Sequence, residues 1–208
     1  MQLLVGSDLA ELAAGWIAGR SSTFSPFRVA LAGGGTPKAV YERLAELELD
    51  WGSWHVWWSD ERDVPPDHED SNELMARRAL VDRVPIPPRQ VHPLRSTDVE
   101  LPERFDLVLL GVGDDGHTAS LYPGDPALEA TDPVVRVRAP GMPPHHPRFT
   151  FTLPVLNGAR ATAFLVGGDG KREIVARALA GDESLPSARV RAPLTVWLVD
   201  EAAAPPRR

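Results

Sequence analysis

The chain alternates between short runs that are almost wholly apolar and longer stretches in which apolar residues recur every three or four positions. The runs RVALAGG (28–34), WHVWWS (54–59), FDLVLLGVG (105–113), ATAFLVGG (161–168) and LTVWLVD (194–200) read as strands. Several leave no polar face, as in a parallel sheet covered by helices on both sides. Helices are expected between them at 7–19, 37–47, 70–82 and 170–180. The second places Thr36 at the N-cap and Pro37 at the first helical position, where a missing N–H costs nothing. Its Val40, Tyr41, Leu44 and Leu47 share one face. In the third, Asp70 and Glu73 have capping-box spacing. This alternation predicts an α/β fold with a mostly parallel sheet, one domain over residues 1–208. The Pro-rich stretches 63–66, 85–88 and 140–147 read as rigid connections, and 201–208 as a frayed tail.

Composition narrows the class without naming a chemistry. At 208 residues, with 43% apolar and 25% charged positions, the chain can bury one ordinary globular core. A net charge of −7 disfavours nonspecific nucleic-acid binding. With no cysteine, disulfides, thiolate nucleophiles and cysteine metal sites are excluded. Asp8 and Glu11 interrupt the first apolar stretch where a signal peptide would be apolar, and no run approaches the roughly 20 apolar residues of a membrane span. The expectation is a cytoplasmic protein with no membrane or nucleic-acid partner.

In a parallel sheet, ligands bind beyond the carboxyl ends of the strands, so the segments that follow the strands matter most. GGGTPK (33–38) leads into a helix. Gly33, Gly34, Gly35 and Thr36 there form either a phosphate cradle, with free N–H groups and a helix dipole, or a tight turn. GGDGKRE (167–173) resembles a Walker A loop but has Leu165 for its first glycine and Arg172 for its Ser/Thr. Lys171 at a helix start opposes the dipole, which suits an anionic ligand or a solvated lysine. SDERD (59–63) offers Asp60, Glu61 and Arg62 as a surface cluster or a strand-end site.

GVGDDGH (111–117) fits G-x-G-x-x-G, yet Pro123, Gly124 and Pro126 forbid the helix a dinucleotide needs, and Asp114 and Asp115 would repel a pyrophosphate. It is better suited to presenting His117 beside a carboxylate that fixes its tautomer. His145 and His146 lack a metal-ligand partner at local spacing, and His55, His68 and His92 give no signal, so no metal site is expected. Trp54, Trp57 and Trp58 read as core.

GGGTP, SDER followed by PPDHEDSN, and GVGDDGHTASLYPG resemble, in that order, the 6-phosphogluconolactonases of the pentose phosphate pathway. HPRFTFTLPVLNGA, GGDGK and VWLVDEAA extend the resemblance over nearly the whole chain. It implies a single three-layer α/β/α domain with a Rossmann-like sheet, shared with the glucosamine-6-phosphate deaminases. It also implies hydrolysis of a sugar-phosphate lactone without a cofactor or metal, by a monomer or weak homodimer. Carried over residue by residue, the GGGTP loop would bind phosphate, with Arg148 and Lys171 as its cations. Arg62 would lie in the substrate pocket with Asp60 beside it, and His117 would be the base supported by Asp115.

Where Ser-Gly-Gly or Gly-Gly-Ser is common in the family, this chain has three glycines, which removes a hydroxyl but keeps the backbone donors. The competing deaminase chemistry uses a glutamate after DGH, where this chain has Thr118, Ala119, Ser120 and Leu121. A non-enzymatic sugar-phosphate sensor would keep the phosphate groups but have no use for the His117–Asp115 pair.

Overall fold

A computed structural model of the chain describes residues 1–138 and 145–206. Residues 140–144 of the expected Pro-rich connection and the last two residues of the tail lie outside this range. Nine strands are present among the described residues: β1 (Gln2–Gly6), β2 (Phe27–Leu31), β3 (Trp54–Trp58), β4 (Asp60–Arg62), β5 (Leu107–Leu110), β6 (Val134–Val137), β7 (Arg148–Phe151), β8 (Ala161–Val166) and β9 (Leu194–Asp200). All five expected strands form and join β1 in one parallel sheet, ordered β1-β9-β8-β5-β2-β3. Every residue of β5 and β8 is buried, so both faces of the sheet are covered. A second, antiparallel sheet, β4-β7-β6, is built from segments of three or four residues, too short to stand out in the sequence.

The helices are α1 (Leu9–Ser21), α2 (Gly35–Leu44), α3 (Asn72–Ala76), α4 (Leu153–Gly158) and α5 (Arg172–Leu179). Asp8 caps α1 by accepting the Glu11 N–H at 3.0 Å. Two expected caps are corrected. The N-cap of α2 is Gly34, at φ 105°, a backbone conformation open chiefly to glycine, so Thr36 and Pro37 fall inside the first turn. The N-cap of α3 is Ser71, whose side chain accepts the Leu74 N–H, while Glu73 turns to Arg77 and Arg95. A π-helical turn, Arg77–Val81, continues α3 to the length expected for this segment.

The tryptophans are core, with Trp54, Trp57 and Trp58 all buried. The expected frayed tail is corrected in part. Asp200 accepts the Ala203 N–H at 2.7 Å and the Gly168 N–H at 2.8 Å, and Ala203 is fully buried. No helix among the described residues is long and apolar enough to cross a membrane.

Sheet register decides where a site can form. Leu31 pairs with Trp58 at the ends of β2 and β3, and Ala30 pairs with Val108 across β2 and β5. The three strands therefore end nearly level. From β2 the chain moves outward to β3, then crosses to the other side to form β5. The β2/β5 junction is thus the topological switch point, where open parallel sheets leave a crevice.

Candidate active site

A cleft of about 200 Å³ lies at that junction. Its wall is made by Ala32–Gly34 after β2, Ser59 and Asp60 after β3, and Gly111–Gly113 with His117 after β5; Arg62, Asn72, Ala119 and Arg148 complete it.

The glycine loop is fixed from behind. The buried Tyr41 hydroxyl accepts the Ala32 N–H at 2.8 Å and donates to the Ala32 carbonyl at 2.9 Å, stapling α2 to the end of β2. Burial pushes the Tyr41 phenol well above its usual range, with Asp60 adding to the rise. Among the described residues no side chain caps α2. The N–H groups of Gly35 and Thr36 have no intrahelical acceptor, and Pro37 has no N–H to satisfy. Gly33 and Gly34 line the cleft, while Gly35 and Thr36 stand just beyond it as the first residues of α2.

His117 is held by its own loop. Asp115 Oδ1 is 2.6 Å from His117 Nδ1 and also accepts the His117 backbone N–H at 3.0 Å. Burial works to raise the Asp115 pKa, but the His117 N–H and imidazole outweigh it and hold the carboxyl below its usual range. An ionised Asp115 accepts a hydrogen bond from Nδ1–H of the neutral ring and so leaves the lone pair on Nε2. The Tyr122 ring packs against the imidazole with centroids 4.6 Å apart. Ala119, at φ 47°, turns the chain between Thr118 and Leu121, whose backbones pair. That turn aims Ser120 at Asp60, with Oγ donating to Oδ2 at 2.6 Å.

Strand β4 contributes both faces of its three residues. Asp60 and Arg62 reach the cleft, whereas Glu61 points away into the start of α3. There the Glu61 carboxylate accepts the N–H groups of Arg62 (2.6 Å), Asn72 (2.8 Å) and Glu73 (2.6 Å), and the Ser71 hydroxyl (3.1 Å). Burial raises its pKa despite these bonds. The anchored helix start presses Asn72 against Gly33, where a Cβ would lie 1.9 Å from Asn72 Oδ1. Asn72 Nδ2 donates to the Asp60 carbonyl at 2.9 Å, and its buried Oδ1 has no hydrogen-bond partner among the described residues.

Arg62 and Arg148 are directly opposed across β4 and β7. Like charges in that position repel, and here both face one cleft. Arg62 Nη1 donates to the Asp70 carbonyl at 2.5 Å.

The fold therefore gathers Gly33, Gly34, Asp60, Arg62, His117 and Arg148, with Asp115 behind His117. Lys171 does not line the cleft; it pairs with Asp114, in the same loop as His117. Asn72, Ser120 and Ala119 were not singled out as site residues by sequence reasoning. Their only signal was membership of the HEDSN and DGHTASLYPG segments. The fold also brings His68 and Asp70 to His146, partners that local spacing did not reveal.

Residues 4–198 match the family described as glucosamine-6-phosphate isomerases/6-phosphogluconolactonase, and the chain belongs to it. Among its relatives, the 6-phosphogluconolactonase of Nostoc sp. is 41% identical over 202 residues, 85% of this chain and 83% of that protein. The Mycobacterium tuberculosis 6-phosphogluconolactonase is 36% identical over 206 residues, 85% of this chain and 83% of that protein. The crystal structure of the Thermotoga maritima 6-phosphogluconolactonase superposes with a TM-score of 0.86 at 31% identity, covering 96% of this chain and 99% of that one. A monomeric glucosamine-6-phosphate deaminase, 19% identical, shares the fold with a TM-score of 0.81, covering 98% of each chain.

Proposed function

We propose that the chain hydrolyses 6-phospho-D-glucono-1,5-lactone to 6-phospho-D-gluconate in the oxidative pentose phosphate pathway, with His117 activating the attacking water. The observation that carries this reading is the pairing of His117 with Asp115 in the same cleft as two arginines. The names of the relatives supply the substrate.

Lactone opening needs a base for water, a group to meet the oxyanion and a grip on the substrate. His117 Nε2 takes the water proton, and Asp115 stabilises the imidazolium that forms; a base of this kind contributes roughly 10²–10⁴-fold. The proton then passes to the departing ring oxygen as the C1–O bond breaks. Asp60 keeps Ser120 and Asn72 in place and confronts the substrate with fixed negative charge. Arg62 and Arg148 supply the cationic side, and the backbone donors after Gly33 and Gly34 meet the phosphate at the N-terminus of α2. The unsatisfied Asn72 Oδ1 is an acceptor for a sugar hydroxyl. Lys171 reaches the phosphate from the rim by exchanging Asp114 for the ligand.

The test is lactone disappearance measured against the spontaneous background at mildly acidic pH. Excess rate is expected from the wild type, and its absence rejects the assignment. His117→Ala should lose about 10²–10⁴-fold in kcat while still binding 6-phosphogluconate. Wild-type turnover in that variant rejects the histidine base.

A further inference from the structure

We propose that His68, Asp70 and His146 form a binding site for a divalent transition metal of the zinc class, beside the cleft and independent of the hydrolytic reading. The Asp70 carboxylate lies between two imidazoles: Oδ2 is 3.0 Å from His146 Nε2 and 3.9 Å from His68 Nδ1. One ligand atom from each residue falls within 4.8 Å of the others. A tetrahedral ion with bonds of about 2.0–2.1 Å separates neighbouring ligand atoms by about 3.3–3.4 Å. The two observed separations bracket that value, so small side-chain rotations close the shell.

The donor set selects the metal. Two imidazoles and one carboxylate suit zinc, cobalt and nickel, whereas magnesium and calcium require oxygen ligands. Each ligand comes from backbone that is already tied down. The His68 N–H donates to the Pro65 carbonyl at 3.0 Å, and the Ser71 N–H to the His68 carbonyl at 2.9 Å. The Asp63 N–H donates to the Pro147 carbonyl at 2.8 Å, holding the segment that carries His146 against the end of β4. His68 Nδ1 accepts the Asp70 N–H at 3.1 Å, so in the neutral ring Nδ1 carries the lone pair a metal would take in exchange. The two rings meet edge to face, with centroids 5.3 Å apart. All three residues are only partly buried, which leaves room for water as a fourth ligand.

The site also touches the cleft, because Asp70 holds Arg62 through its carbonyl. Loading the site would stiffen the residue on which that guanidinium rests.

Zinc titration of the full chain by calorimetry tests this, with wild type, Asp70→Asn, His146→Ala and His117→Ala compared. One saturable zinc per chain is expected at micromolar concentration. Asp70→Asn and His146→Ala should each weaken it by more than about tenfold, with His117→Ala unchanged. Cobalt(II) added to the wild type gives a readout that does not depend on any variant folding. Intense visible bands of a tetrahedral centre are expected. Zinc binding that survives both ligand variants, or that is lost in His117→Ala instead, overturns the proposal. So does a weak octahedral cobalt spectrum, or no saturable binding.

Discussion

The position of His117 depends on an atom that Gly113 does not have. A methyl group there would lie 2.0 Å from His117 Nδ1 and 2.7 Å from Asp115 Oδ1. Gly113→Ala must therefore displace the imidazole, its carboxylate, or both. Displacements near 1 Å from productive geometry cost about 10²-fold in rate. We expect kcat in the lactone assay to fall by about that factor while the urea midpoint changes little. Arg148→Ala and Arg62→Ala should act differently. If each grips substrate equally in ground and transition states, KM rises with kcat nearly preserved. A kcat loss equal to the loss in kcat/KM would instead place that arginine at the oxyanion. The glycines, His117 and Asp115 were legible in the sequence because they sit close together on one loop after a clear strand. Asn72 was not, because its place against Gly33 depends on a carboxylate from another element.

That carboxylate, Glu61, shows how an element with little propensity of its own is held. Helix α3 is only Asn72–Ala76 before its π-helical turn, too short to be stable alone. Four donors converge on Glu61, three of them backbone N–H groups. Glu61→Gln would set an NH₂ group among donors and leave some of them unpaired, at a cost of about 1–3 kcal/mol. Thermal unfolding should show the loss. Because Asn72 shifts with the helix, KM should rise as well. Five strands of the parallel sheet were predictable because each lies in a largely apolar run followed by a polar or glycine-rich turn. β4, β6 and β7 were not: DER, VVRV and RFTF are only three or four residues each, too short to carry a period that separates strand from loop. The α2 cap was misplaced for a related reason. Thr-Pro is a good helix opening, but Gly34 already adopts a conformation that lets the helix begin at Gly35, two residues before Pro37.

Across the whole molecule, stability should depend on pH through a pair of histidines remote from the cleft. His55 on β3 and His92 stack at 5.8 Å, and His92 stacks on Trp57 at 4.1 Å. Burial lowers both pKa values; Arg28 and Arg89 add to the effect on His55, and His55 adds to it on His92. Below the ordinary histidine value of about 6.5, the unfolded chain binds protons that the folded chain resists. Their contribution is therefore complete above that value and is lost as pH falls towards the lowered folded values. Urea midpoints should drop between about pH 7.5 and about pH 5, and less steeply in His92→Gln. An unchanged slope in that variant would remove His92 from the account.

The cleft draws its walls from Gly33, Asp60, His117 and Arg148, which meet only through pairings between distant parts of the chain. Such pairings carry the largest loop-closure cost and tend to form late. Catalysis should thus be among the last properties to return on refolding from urea. Tryptophan fluorescence, to which the three buried tryptophans of β3 contribute, should recover no later than lactonase activity in the same time course. A chain in which β2 and β5, or β4 and β7, fail to pair would keep much of its core while leaving the cleft unassembled.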